Sequence, residues 1–191
     1  MQSATAVIAE LVAGIHPHDD LEMRHIATTL EWLESTDDVF RRIKPATPSP
    51  HLVSYVVLID PHAKAIFLGL HRLAGLHLPM GGHIEPGEHP LTAARREASE
   101  ELGITPTFDV VGSQPLFLTR TTTVGAVASH MDISLWHVIR GDSTLDYPLD
   151  PGEFDGGQWW DLTPDALPAT DPHMPRFIRK LVGLLESQRS Q

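Results

Sequence analysis

The chain of 191 residues contains no cysteine and no long run of apolar residues. Without cysteine it forms no disulfide framework, no cysteine-ligated zinc site and no thiol nucleophile, which removes several enzyme classes. No apolar stretch approaches the roughly 20 residues that a membrane-spanning helix needs. The N-terminal segment lacks a basic region and carries Glu10 within its apolar stretch, so it is not typical of a signal peptide. We therefore expect a cytoplasmic protein without a membrane partner.

Basic residues are also scarce. The chain has 14 Lys and Arg against 25 Asp and Glu, for a formal net charge of −11. The basic residues form no run that would attract a nucleic-acid backbone, so we expect no nucleic-acid partner. An acidic chain that handles phosphates needs a bridging cation.

The N-terminal part of the chain is predicted to be helical. Asp19 and Asp20 suit the start of a helix, and a shorter helical turn is expected around Val39 and Phe40. The predicted helix carries the apolar residues Leu21, Ile26, Leu30, Trp32 and Leu33. Residues 44–50 then hold three prolines in seven positions, which predicts a stiff linker. We predict an N-terminal helical extension with a Pro-rich linker over 1–48 and a second domain over 49–191.

The second domain is predicted to mix strands with two helices. Pro90 and Gly103 suit the first position and the end of a central helix, with Leu102 as its last residue. A C-terminal helix is expected over 172–187. Strands are predicted at 51–60, 63–70, 108–111, 115–119, 130–139 and 157–162. This order favours an α/β sandwich with a mixed sheet.

The central helix concentrates acidic residues. Glu97, Glu100 and Glu101 are spaced i, i+3 and i+4, so their side chains converge on one face. Mg²⁺ accepts carboxylate oxygens together with substrate phosphates, which would turn this repulsion into a site. Upstream, Gly81 and Gly82 allow close backbone approach, and a free carbonyl there could add a ligand. The alternative is a solvated acidic face, the commoner origin of a charge cluster.

This segment resembles the signature of the Nudix (MutT-like) hydrolases. The pattern is Gly, five residues, Glu, seven residues and Arg-Glu-aliphatic-x-Glu-Glu-x-Gly-aliphatic. Here it comprises Gly82, Glu88 and the run from Arg96 to Ile104, with the small Ala98 in the aliphatic position. The resemblance extends more weakly over residues 51–187. It implies a Nudix fold, an α/β/α sandwich with a mixed central sheet, with the N-terminal helices outside the family core.

The resemblance also implies an activity. Nudix enzymes cleave a nucleoside diphosphate linked to another moiety by water attack on phosphorus, with Mg²⁺ or Mn²⁺. Carried over by position, Glu97, Glu100 and Glu101 would ligate the metal, and the Gly81 carbonyl would add a further ligand. One of these glutamates, or a carboxylate from a later loop, would take the proton from the attacking water.

Supporting roles follow from the same resemblance. Arg96 would orient Glu97, and Glu88 would brace the loop through a salt bridge. Glu153 lies a few residues before a Trp-containing strand, where some family members carry the base. A simple turn residue is the alternative for Glu153, and Asp132 is the other candidate base.

The sequence indicates the substrate only coarsely, as a nucleoside triphosphate or small nucleotide derivative. The chain lacks the residues that are typical of Nudix enzymes for several substrates. For example, Thr119 stands where ADP-ribose enzymes tend to carry proline. Arg72, Phe117 and Trp136 are candidates to contact phosphate or stack on a base, with core or surface roles as alternatives. The twelve histidines show no paired spacing on a helix, so no zinc site is predicted. A homodimer is left open.

Two other functions compete with hydrolysis. A non-catalytic Nudix-fold module would sense a nucleotide and use the N-terminal helices as its output surface. Such modules often have an eroded signature, whereas this one is intact. The second competing function is that of an isopentenyl-diphosphate isomerase, which shares the Nudix fold but is not a hydrolase. Its chemistry resembles one that needs a catalytic cysteine, and this chain has none. We therefore expect a metal-dependent Nudix pyrophosphohydrolase.

Overall fold

A computed structural model describes residues 3–44, 47–123 and 129–189. Within these ranges the helices are α1 (Ala4–Ala13), α2 (Asp20–Ser35), α3 (Pro90–Leu102) and α4 (Met174–Arg189), with a short 3-10 turn at Pro164–Ala166. The strands are β1 (His51–Asp60), β2 (Ala65–His71), β3 (Leu76–Leu78), β4 (Met80–His83), β5 (Phe117–Thr122), β6 (Met131–Arg140) and β7 (Phe154–Asp161). None of the described helices has the length and apolar composition needed to cross a membrane.

The strands are hydrogen-bonded in the order β3-β2-β1-β6-β5, with β4 on β1 and β7 on β2. Contacts divide the chain into two compact units, and β1, β4, α3 and β6 run from one into the other. The first unit comprises Met1–Tyr55, Gly81–Arg96 and Gln114–His137. The second comprises Val56–Met80, Glu97–Ser113 and Val138–Gln191. The predicted α/β fold, with a mixed sheet and N-terminal helices, is confirmed.

The first unit buries the N-terminal helices in a shared apolar core. Ser3 caps α1 by accepting from the Ala6 N–H at 3.1 Å, and Asp19 caps α2 by accepting from the Glu22 N–H at 2.8 Å. Apolar residues of both helices pack in one cluster with residues of β1, β5 and β6: Ile8, Val12, Leu33, Leu52, Leu118, Ile133 and Leu135. Burial of these side chains stabilises the helices far more than their intrinsic propensity does.

A buried carboxylate joins α2 to β5 within the first unit. Glu22 is fully buried; one of its oxygens accepts from the Leu118 N–H at 3.2 Å and the other from the His18 N–H at 2.6 Å. A buried charge is tolerated when such hydrogen bonds replace its hydration. The helix is therefore fixed to the strand by polar as well as apolar contacts.

The second unit contains the β1–β2 turn, where Asp60 organises the backbone. Its carboxylate accepts from the N–H groups of His62, Ala63 and Ser143 at 2.9 Å each, and from the Ser143 hydroxyl at 2.7 Å. Burial alone would raise the pKa of Asp60, but these hydrogen bonds outweigh it and hold the pKa at about 2.

Two predicted elements are wrong. Residues 108–111 form an irregular segment and not a strand, because this part of the chain is held by Arg140. The Arg140 N–H donates to the Thr107 carbonyl at 3.0 Å, and the Arg140 Nε donates to Asp109 Oδ1 at 2.9 Å. Val39 and Phe40 form no helical turn; both side chains are buried, and the Val39 carbonyl accepts from the Leu52 N–H at 3.0 Å. Burial of an apolar pair outweighed a weak local helical pattern.

Candidate active site

Helix α3 has the bounds that the sequence predicts, Pro90–Leu102. At the first position of a helix the backbone N–H has no partner within the helix, so proline, which lacks that N–H, loses no hydrogen bond there. Gly103 follows the last residue with a positive φ of 66°, and its N–H donates to the Ser99 carbonyl at 3.1 Å. Ala98 and Leu102 are fully buried on one face, so the small residue in the aliphatic position of the signature is a packing residue.

The three glutamates of α3 differ in burial. Glu97 and Glu101 are only 7% and 4% exposed and lie one helical turn apart, whereas Glu100 is exposed. Placing two carboxylates of one helix out of water costs several kcal/mol unless opposite charge or hydrogen bonds compensate. Because Glu97 and Glu101 are buried, this pair is not part of a solvated acidic face.

Glu88 makes a two-point salt bridge with Arg96. The guanidinium donates from Nε to Glu88 Oε1 at 3.1 Å and from Nη2 to Oε2 at 3.0 Å. It also donates to the His83 carbonyl at 3.0 Å, and Glu88 Oε2 accepts from the Glu85 N–H at 3.0 Å. Burial would raise the pKa of Glu88, but the hydrogen bonds from Arg96 and Glu85 outweigh it and lower that pKa. The loop before α3 is thus fixed to the first turns of the helix.

Gly81 lies where a larger residue does not fit. Its φ is 140°, and a Cβ at this position would collide with the Ser54 carbonyl oxygen and lie 2.8 Å from the Tyr55 Cα. The Ser54 hydroxyl in turn donates to the Pro90 carbonyl at 3.2 Å. The close approach of β4 to β1 explains the glycine without reference to a ligand, and the predicted metal-binding role of its carbonyl stays a prediction.

Arg72 and Glu153 lie next to each other in the second unit. The Arg72 N–H donates to the Glu153 carbonyl at 2.9 Å, and its Nη1 donates to the Pro151 carbonyl at 2.6 Å. Arg72 Nε also pairs with Asp155 Oδ1 at 3.3 Å, with about half of each side chain exposed. Glu153 is exposed in the turn before β7. A cationic and an anionic candidate therefore lie on two hydrogen-bonded, accessible loops, one after β2 and one before β7.

Phe117 and Trp136 are fully buried. They form an edge-to-face pair with centroids 5.6 Å apart, and Tyr55 packs on Trp136 at 5.0 Å. The Trp136 indole donates to Thr119 Oγ1 at 3.0 Å. In the structure Phe117 and Trp136 pack in the core, and their roles in base stacking stay predictions.

Sequence reasoning missed a group of histidines in the first unit. His51, His83, His130 and Asp132, named here the imidazole cluster, place one potential ligand atom each within 4.8 Å of the others. Asp132, the alternative candidate base, lies in this cluster. Burial, followed by the charge of Arg41, lowers the pKa of His83 to about 3. The one local sign was His130-x-Asp132, which strand alternation places on one face.

A family model describing the NUDIX domain matches residues 49–181. The chain belongs to the Nudix family. An "Uncharacterized Nudix hydrolase orf19" from Rhodococcus erythropolis is 36% identical over 117 residues, which make up 59% of this chain and 57% of the relative. The chain thus aligns with little more than half of that Nudix relative.

Solved structures share the Nudix fold with this chain. The E. coli dihydroneopterin triphosphate pyrophosphohydrolase matches with a TM-score of 0.52 at 20% identity, covering 71% of this chain and 95% of the other. A NUDIX-family hydrolase from Clostridium perfringens matches with a TM-score of 0.50 at 24% identity, covering 72% and 99%. A C. elegans Ap4A hydrolase binary complex matches with a TM-score of 0.51 at 19% identity, covering 71% and 98%. At these identities the likeness establishes the fold alone.

Proposed function

We propose that the chain is a metal-dependent pyrophosphohydrolase that cleaves the diphosphate of a nucleoside triphosphate or another small nucleotide derivative. The observation that carries the proposal is the burial of Glu97 and Glu101 one turn apart on α3. Membership in the Nudix family and an intact signature support hydrolysis over nucleotide sensing. The cytoplasmic location and a homodimer stay predictions.

The donors on α3 fit Mg²⁺ or Mn²⁺, because Glu97, Glu100 and Glu101 offer only carboxylate oxygens and hard cations prefer them. The Gly81 carbonyl is the further ligand in this proposal. A bound divalent ion would neutralise the diphosphate and lower the pKa of the attacking water. The net charge of −11 is consistent with a chain that meets polyphosphates through cations.

The remaining residues have positioning and proton-transfer roles in the proposal. One of the three glutamates, or Glu153, accepts the proton of the attacking water. Arg96 holds the loop before α3 through Glu88 and the His83 carbonyl. Arg72 contacts the substrate phosphates, since half of its side chain is exposed beside Glu153. Base stacking by Phe117 and Trp136 stays a prediction, because both side chains are fully buried.

The test is product release from a panel of nucleoside triphosphates, nucleotide sugars, dinucleotides and ADP-ribose, with Mg²⁺ or Mn²⁺ in ¹⁸O-labelled water. We expect at least one substrate to be cleaved, with one ¹⁸O in a phosphate-containing product, and EDTA to stop the reaction. Glu101→Gln should lower turnover by about 10²–10⁴-fold. Glu34→Gln, which changes an exposed glutamate of α2, is the matched control and should retain it.

Two outcomes would contradict the proposal. If no compound is cleaved although nucleotides bind with metal, the chain is a nucleotide-sensing module. If Glu101→Gln cleaves as fast as the wild type, α3 does not hold the metal.

A further inference from the structure

The imidazole cluster brings together four side chains from distant parts of the chain. His51 begins β1, His83 ends β4, His130 directly precedes β6 and Asp132 lies within β6. The side chain of His51 is fully buried, and those of His130 and Asp132 are 14% and 15% exposed. Three imidazoles seldom converge inside a fold without a partner, because each brings nitrogen atoms that must be satisfied.

Hydrogen bonds on the outer side of the cluster set the tautomers of two rings. The Nδ1 atom of His51 lies 2.6 Å from the Pro48 carbonyl oxygen, which can only accept, so Nδ1 carries the hydrogen. The Thr123 hydroxyl donates to the His130 carbonyl at 3.1 Å and lies 3.0 Å from His130 Nδ1, so it accepts from that nitrogen. Both rings therefore direct an Nε2 lone pair inward, as metal-binding histidines do when their other nitrogen is hydrogen-bonded.

Imidazole nitrogens and one carboxylate oxygen face one another inside the cluster. His51 Nε2 lies 2.9 Å from His83 Nε2 and 2.9 Å from Asp132 Oδ1, and His130 Nε2 lies 3.4 Å from the same oxygen. Although Asp132 Oδ1 is inaccessible to solvent, it accepts no well-aligned hydrogen bond from the part of the chain that the structure describes. Imidazole nitrogens gathered at such distances around a buried oxygen that accepts no aligned hydrogen bond point to a cation among them.

The spacing suits a small tetrahedral ion. With Zn–N bonds of about 2.0–2.1 Å, neighbouring ligand atoms of a tetrahedral site are about 3.3 Å apart. The three separations of 2.9, 2.9 and 3.4 Å given above lie on either side of that value. All four ligand atoms lie within 4.8 Å of one another, so small side-chain rotations would bring them to this spacing.

Arg41 is the nearby charge that has to be weighed against a metal. Its guanidinium is attracted by Asp132 and Glu85, while burial lowers its pKa. This attraction offsets part of the Asp132 charge, but a guanidinium only donates hydrogen bonds and does not explain why three imidazoles converge beside that carboxylate. A divalent ion among them would account for the convergence.

We propose that His51, His83, His130 and Asp132 form a Zn²⁺ site that ties the start of β1, the end of β4 and the start of β6 together. Imidazole nitrogens with one carboxylate suit Zn²⁺ and not Mg²⁺, which prefers oxygen ligands. The proposal uses none of the glutamates of α3 and does not depend on the hydrolase activity. Because its ligands come from separate segments, the site forms only in the folded chain, and Zn²⁺ should stabilise that state.

The experiment measures Zn²⁺ binding to the metal-stripped full-length chain against a chromophoric chelator, with circular dichroism to verify folding. We expect one tight equivalent in the wild type, in Glu101→Gln and in His62→Gln, an exposed histidine outside the cluster. Asp132→Asn and His130→Gln should bind at least about 100-fold more weakly, since even outer-shell changes cost 10–100-fold.

A variant that misfolds would also lose Zn²⁺ binding, so a second variant is needed that produces a new signal when the metal binds. The chain has no cysteine, so His130→Cys would introduce the sole thiolate. Titration with Co²⁺ should then give tetrahedral visible absorption together with a new sulfur-to-cobalt charge-transfer band. The proposal is overturned if the wild type binds no Zn²⁺ tightly, if the cluster variants bind as well as the wild type, or if His130→Cys shows no such band.

Discussion

The glutamates of α3 and the imidazole cluster assemble metal-binding groups in opposite ways. The glutamates belong to one helix, where a spacing of three and four residues places them on one face, and they offer only oxygen. The cluster draws its atoms from β1, β4 and β6, and three of its four ligands are nitrogens. Because the donor sets differ, our two proposals assign a hard cation to the helix and Zn²⁺ to the cluster.

The two candidate metal sites should also depend differently on the folding of the chain. The spacing of the glutamates is fixed as soon as α3 forms, because it is a property of the helix. The spacing of the imidazole cluster requires the strands to be paired. A metal at the cluster should therefore affect the free energy of unfolding more than a metal at α3, whose main effect should be on catalysis.

The largest expected effect comes from removing the buried carboxylates of α3. Glu101→Gln should lower kcat/KM by about 10²–10⁴-fold, the range for loss of a ligand or proton acceptor at the reacting water. If Glu97 and Glu101 hold one metal, the double variant should lose little beyond the single variants, because residues that act as a unit are not additive. Single-turnover rates at saturating Mg²⁺ measure this. Additive losses would break the picture of a shared ion.

A smaller effect is expected at β4, the strand that contributes Gly81 to the predicted active site and His83 to the imidazole cluster. Gly81→Ala combines a collision with β1 and an unfavourable φ, so it should lower the free energy of unfolding by about 2–4 kcal/mol. Gly87→Ala also has a positive φ but no neighbour within 4 Å, and should cost about 1 kcal/mol. Urea unfolding of both variants is the measurement, and equal costs would show that the approach to β1 is not tight.

The smallest effect concerns the Glu88–Arg96 salt bridge. Glu88→Gln should lower the free energy of unfolding at neutral pH by about 1–2 kcal/mol, because the side chains are only 12% and 27% exposed. The pKa of Glu88 is lowered from its usual 4.5 in the folded chain. The contribution is therefore present above pH 4.5 and lost as the pH falls through the folded value.

Denaturant unfolding at several pH values measures the difference in the free energy of unfolding between the wild type and Glu88→Gln. It should shrink as the pH is lowered below 4.5. Asp38→Asn, which breaks the exposed pair with Arg42, is the control and should change little at any pH. A difference for Glu88→Gln that does not depend on pH would mean that the salt bridge does not stabilise the fold.

Local patterns made part of the molecule predictable. The bounds of α3 follow from Pro90 and Gly103, and β1 from a run of β-branched residues. The strands β3 and β4 were missed because they have only three and four residues, and Gly81 and Gly82 have low strand propensity. The strand predicted at 108–111 failed because Arg140, distant in sequence, holds that segment in an irregular form.

The candidate sites also differ in whether local sequence patterns predict them. The glutamates of α3 could be found because helical periodicity links sequence spacing to distance. The imidazole cluster could not, because the pairing of β1, β4 and β6 is a tertiary property that no spacing of His51, His83 and His130 encodes. Burial of Glu97 and Glu101 likewise became visible only in the folded chain.

The measurement that tests the account most directly compares the wild type and Glu101→Gln after each has been loaded with one equivalent of Zn²⁺. Bound Zn²⁺ and Mg²⁺-dependent cleavage of the best substrate are measured on the same samples. The account predicts equal Zn²⁺ content in both proteins and hydrolysis in the wild type alone. A variant that loses Zn²⁺ together with activity, or that keeps its activity, would contradict two chemically distinct sites.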